Sequence, residues 1–137
     1  MAIQLLTKLI STGQTETFTF KAKNKGDKIE SFMFAISGLN ASYADNKNHN
    51  ILNLAVGNLI PSTVNDLEIT LNLNMVMNDD SGHGIDKYSA CRVTCIAEIN
   101  NSSKEAGLFN LGNGQSKSVK SGMSGWNTVL SGFNMAF

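Results

Sequence analysis

The chain has 137 residues, eleven of them basic and eleven acidic, so its net charge is zero and only 16% of it is charged. Such a balance argues against an electrostatic nucleic-acid binder, which needs a basic stripe to displace counterions, and against a polybasic membrane anchor. It also removes the long-range repulsion that keeps copies of a protein apart, so self-association is tolerated. The length fits one domain over residues 1–137, burying roughly two-thirds of its unfolded surface without help from disulfides or metals.

Polarity is carried by neutral residues instead, with seventeen asparagines and serine close behind, both turn-favouring types. The N-terminal run M-A-I-Q-L-L-T-K-L-I-S is interrupted by Gln4, Thr7 and Lys8 and has neither a basic leader nor a small-residue cleavage site. Cytoplasmic synthesis is therefore the expectation, with signal-independent release left open. No stretch approaches the ~20 apolar residues of a membrane-spanning helix. Ile3, Leu5 and Leu9 suit a strand and Ile3, Leu6, Leu9 and Ile10 a helix face; the strand reading is preferred.

After the turn S-T-G-Q, Phe18, Phe20 and Ala22 alternate with Thr17, Thr19, Lys21 and Lys23 in a half-buried strand. The next run has Phe32, Phe34 and Ile36 on one face and Met33 and Ala35 on the other. Two apolar faces predict a central strand or contact with a second surface. A loop rich in asparagine leads to Leu52, Leu54 and Val56, and Pro61 opens the connection onward.

From Asp66 the pattern is strongest. Leu67, Ile69, Leu71, Leu73, Met75 and Met77 alternate with polar residues, and only Val76 breaks the rule. No helix gathers six such residues onto one side. The loop D-D-S-G-H-G-I-D-K follows, then a second alternating run from Tyr88 to Ile99, so the simplest reading is a long antiparallel hairpin. Cys91 and Cys95 share the inward face of that second arm with Val93, Ala97 and Ile99. At ~3.3 Å per residue their α-carbons lie about 13 Å apart, beyond the ~7 Å reach of a disulfide. They read as buried, reduced thiols.

The remainder is rich in glycine and serine until a last apolar alternation of Val129, Phe133, Met135 and Phe137. This segment echoes an earlier one: A-I-S-G-L-N-A-S-Y at 35–43 and V-L-S-G-F-N-M-A-F at 129–137 share Ser, Gly and Asn. A strand ending on Phe137 needs cover, from its own sheet or from a neighbouring subunit. The expected fold is all-β, an antiparallel β-sandwich of six to nine strands, jelly-roll-like in arrangement.

Three sets of candidate site residues emerge. Trp126, Val129, Phe133, Met135 and Phe137 are interface anchors for a homo-oligomer or larger ordered assembly. Asn46, Asn48, His49 and Asn50 form an amide-rich loop whose paired donors and acceptors suit sugar hydroxyls, with Trp126 or Tyr43 as a stacking partner. Asp79, Asp80 and Asp86 could supply oxygens to Ca2+, although the loop lacks the regular Asp spacing of a calcium loop and reads more simply as a solvated turn. A zinc site is disfavoured because the two histidines, His49 and His83, are far apart in the chain. The acceptor patterns beginning at Asn40, Asn100 and Asn101 read as accidents of composition without a signal peptide. No hydrolase, metalloprotease or phosphate-loop motif is present, and no cofactor is implied. The expectation is a non-catalytic, self-assembling structural protein; the alternative is a lectin-like carbohydrate binder, calcium-assisted or not.

Overall fold

The structure, a computed structural model, describes residues 2–45, 47–57, 59–99, 115 and 132–136. They form nine strands, β1 (Ala2–Ser11), β2 (Thr15–Thr19), β3 (Ile29–Asn40), β4 (Asn53–Val56), β5 (Pro61–Val64), β6 (Glu68–Asn72), β7 (Met75–Asn78), β8 (Ala90–Ile99) and β9 (Phe133–Ala136). All the pairings are antiparallel and the described residues contain no helix, so the fold is the all-β sandwich its alternation predicts. Accordingly, no helix of the described residues is long and apolar enough to cross a membrane.

One layer has the order β1-β8-β3, with β8 in the centre. The other consists of two small sheets, β2-β6-β5 and β7-β4-β9. A single extended run joins these two: Leu73 exchanges backbone hydrogen bonds with Gly13 and Gln14, and the Gly57 N–H donates to the Asn74 carbonyl. Ile69, Leu71, Leu73 and Met75 therefore all point into one core. They meet Phe34, Cys91, Val93, Cys95 and Ala97 from the opposite layer, with Phe18, Phe20 and Ile10 filling the space between. Period-two sequence becomes period-two burial along 69–77, as it must when successive side chains point to opposite faces.

The long hairpin expected from Asp66 to Ile99 does not form. β6 pairs with β2 and β5, β7 pairs with β4, and β8 pairs with β1 and β3. The two amphipathic arms instead face each other across the core. Alternation fixes which face is dry, but a dry face is buried equally well beside its sequence neighbour or opposite it. Among the described residues, β3 likewise lies at the end of its layer's strand order and not at its centre. Its second apolar face is covered only in part, with Met33 half-buried and Ala35 buried.

β1 is a strand, but its dry face is not the one with most apolar residues. Ile10 is fully buried and Leu6 packs against the core, whereas Ile3, Leu5 and Leu9 point outward. The inner positions Gln4 and Lys8 are held by polar partners at the sandwich corner: Gln4 bonds the backbone of Lys21, and Lys8 reaches Glu16 at 2.7 Å. The turn between β1 and β2 has Gly13 at φ 76, a backbone state that side-chain-bearing residues rarely adopt.

β9 lies against its own chain, pairing Phe133 with Val56 and Met135 with Leu54. Phe133 packs on the core and Met135 is 43% exposed. Trp126, Val129 and Phe137 lie outside the described residues, as do four of the nine residues in the second copy of the sequence echo, 129–131 and 137.

Candidate functional site

Two regions carry more chemistry than the fold requires. The first is a cluster of histidine and aspartate where the segment after β3 meets the loop between β7 and β8. Tyr43 and Ile85 form an antiparallel bridge, and the Ala44 N–H donates to the Gly84 carbonyl. Further along, the Asp86 N–H donates to the Ser42 carbonyl, and the buried Ser89 hydroxyl accepts from the Ser42 N–H. Buried Tyr43 fixes the other end by donating its hydroxyl to the Asn50 carbonyl at 3.1 Å. These contacts hold residues 43–45 and 47–50 alongside 79–86.

His49 and His83 are thereby stacked, ring centroids 4.1 Å apart and planes inclined by 25°. The Tyr43 ring abuts His49 edge-on. A carboxylate lies at each side of the ring pair. Asp79 is buried, and its Oδ2 lies 2.7 Å from His83 Nδ1 and 3.1 Å from His49 Nδ1. Its Oδ1 accepts backbone N–H groups of Ser81 and His83, which fixes the carboxylate. On the solvent side, Asp45 Oδ2 lies 2.8 Å from His49 Nε2 and 3.8 Å from His83 Nε2. Burial pushes both aspartates towards the neutral form. For Asp79 the His83 and Ser81 donors outweigh it, and for Asp45 those of His49 and Lys47, so both carboxyls titrate below their ordinary value.

The chain spells this arrangement twice. Asp45-x-x-x-His49 and Asp79-x-x-x-His83 have the same spacing, and each aspartate bonds its own histidine while approaching the other. Repetition of that four-residue spacing is the signal that the distance between the histidines in the chain obscured.

The sequence-derived candidates divide around this cluster. His49 belongs to it, Asn48 and Asn50 are exposed beside it, and Asn46 lies outside the described residues. Of the calcium candidates, Asp79 is committed to the histidines and loop amides, Asp80 is exposed, and Asp86 accepts the Tyr88 N–H. Among the described residues, one trio of potential ligands has its donor atoms within 4.8 Å of one another, and it is Asp45, His49 and His83.

The second region is the outer face of the β1-β8-β3 layer. Ile3, Leu5 and Leu9 are 51%, 61% and 64% exposed. In register, Leu5 stands opposite Ile96, and Ile96 opposite Met33, both half-buried. These side chains make an apolar row across all three strands, crossed by a column along β1. Thr7 and Thr94 join hydroxyls at 2.8 Å in the middle of the column.

No family model, curated protein or solved structure matches the chain. Function therefore has to be argued from these two regions and from the buried thiols. Cys91 and Cys95 are free and fully buried. Burial pushes both thiols up, Cys95 to about 12, which disfavours the thiolate a nucleophile requires.

Proposed function

We propose that this chain is a non-catalytic structural protein that associates with copies of itself, and that the outer face of the β1-β8-β3 layer is the contact surface. The observation that carries this reading is the apolar patch of Ile3, Leu5, Leu9, Ile96 and Met33. Single exposed apolar residues are ordinary, but Leu5, Ile96 and Met33 stand in one row of the sheet face, with Ile3 and Leu9 exposed to either side beside Glu98 and Arg92, and such a cluster is a usual mark of a contact surface. Zero net charge supports the same reading, since two such faces approach without repulsion. Met135 on β9, 43% exposed, offers a further anchor on the terminal strand. The inert thiols and the absence of a catalytic motif in the sequence favour a structural role over an enzymatic one.

Sedimentation velocity over a wide concentration range tests this. The natural chain is expected to associate as concentration rises, and the double variant Leu5→Asp/Leu9→Asp to stay monomeric with an unchanged melt. A natural chain that remains a monodisperse monomer at high concentration would overturn the reading.

One observation favours the lectin-like alternative: of the loops at 46–50 and 79–86, which it needs together, the described residues 47–50 lie beside 79–86. A glycan array read with and without chelator separates the two, because sugar binding needs those loops and is indifferent to Leu5 and Leu9.

A further inference from the structure

We infer that Asp45, His49 and His83 form a binding site for a divalent transition-metal ion of the zinc class, with Asp79 as the outer carboxylate that orients both imidazoles. The donor set comes first. Two imidazole nitrogens and one carboxylate oxygen, with their atoms within 4.8 Å of one another, match the ligands that Zn2+, Co2+ and Ni2+ prefer. Calcium, which takes oxygen ligands, does not suit two imidazoles.

The second observation is the direction of the rings. Both Nδ1 atoms face the buried Asp79, at 2.7 and 3.1 Å, and both Nε2 atoms face Asp45. A carboxylate on Nδ1 holds that nitrogen protonated and leaves the Nε2 lone pair for a metal, which is the usual outer-sphere arrangement of histidine ligands. Asp79 is itself fixed by two backbone N–H donors, so the rings are held against a rigid acceptor. A buried aspartate hydrogen-bonded to His83 Nδ1 and only 3.1 Å from His49 Nδ1 is more than a solvated turn requires.

Binding exchanges the direct bond between His49 Nε2 and Asp45 for two bonds to the ion. It also requires the lone pairs of the two rings to converge, so the planes must open beyond their 25° inclination. His83 and Asp45 keep 40% and 30% of their side-chain surface in solvent, which gives the ion a path in and leaves a water to complete a tetrahedral set. This site is separate from the apolar face of β1 and does not depend on self-association.

Titration of the untagged full chain with Zn2+ by calorimetry, and with Co2+ by visible absorption, tests the inference. The expected result is one ion per chain, with the Co2+ spectrum of a tetrahedral nitrogen and oxygen site free of thiolate charge-transfer bands. His83→Gln, at a half-exposed position, should weaken binding at least tenfold while leaving the melting transition in place. Asp79→Asn, which keeps the shape but not the charge, should weaken it about 10- to 100-fold. If Asp79→Asn fails to fold, the His83→Gln and Asp45→Asn variants still decide the matter. No saturable binding at millimolar metal, or binding that the His49 and His83 variants leave unchanged, overturns the inference.

Discussion

β1 and β8 are adjacent strands of equal length, paired residue for residue from Ala2 opposite Ile99 to Ser11 opposite Ala90. Both are rich in aliphatic side chains, but β8 alternates whereas β1 carries the adjacent apolar pairs Leu5-Leu6 and Leu9-Ile10. β8 lies at the centre of its layer and directs Cys91, Val93, Cys95, Ala97 and Ile99 into the core, none more than 3% exposed. Among the described residues β1 lies at the edge, and it sends Ile3, Leu5 and Leu9 outward. Alternation therefore reports both strand and core in β8, whereas β1, whose pattern also suits a helix face, turns its more apolar side away from the core. In β1 the inward column is Gln4, Leu6, Lys8 and Ile10, which mixes two core residues with two polar groups at the sandwich corner. A strand whose better apolar face is turned away from its own core has that face available for something else, and this is the basis of the proposed self-association.

Breaking the comparison is simplest at two neighbouring residues of β1. Ile10→Ala removes a side chain that is 1% exposed and should cost about 2–5 kcal/mol of unfolding free energy. Leu9→Ala, one residue earlier and 64% exposed, should change the same quantity by about 0.5 kcal/mol or less in the monomer. Urea denaturation of the two variants at low concentration measures both. Comparable losses would mean that the outer face of β1 is covered in the monomer.

The buried side of the comparison also predicts a pH dependence. The native pKa values of Cys91 and Cys95 are raised above the ordinary 9.0 by burial, that of Cys95 to about 12. Below pH 9 both states hold the protons, and the thiols' contribution to stability is fully present. Between pH 9 and about 12 the unfolded chain releases protons that the folded chain keeps, so that contribution falls away as pH rises. Denaturation midpoints measured from pH 8 upward should decline, and more steeply for the natural chain than for Cys91→Ala/Cys95→Ala. In the native protein at pH 8, alkylating reagents should modify neither thiol until the fold opens.

A further small effect is expected on the exposed face. Thr7→Ala removes the hydroxyl pair with Thr94 and should cost about 0.2–1 kcal/mol, the range of a cross-strand pair in solvent. A larger loss would again indicate a face that is not open.

The sequence carried a good part of this. Strands within 16–23, 66–78 and 88–99, the inward cysteines and the all-β class follow from a period of two and little else, although the first ends at Thr19, leaving Ala22 exposed, and the second is divided into β6 and β7. What it lacked was the pairing partner. Alternation in Leu67–Met77 and in Cys91–Ile99 says that each has one dry face, and the hairpin and the face-to-face sandwich satisfy that equally. The outward turn of Ile3, Leu5 and Leu9 was hidden for a related reason: counting apolar residues on a face does not say which face the fold encloses. The histidine cluster was hidden by distance along the chain. Its only local trace was the aspartate four residues before each histidine, at Asp45 and at Asp79.

Hydrogen–deuterium exchange followed at low and high protein concentration tests most directly whether the outer face of β1 is a contact surface. Amides of residues 3–9 should gain protection as concentration rises, while those of the 79–86 loop stay unchanged and the Leu5→Asp/Leu9→Asp variant shows no gain at either concentration. Exchange over residues 3–9 that is identical at both concentrations, in a chain that otherwise shows its folded core protected, would contradict the account.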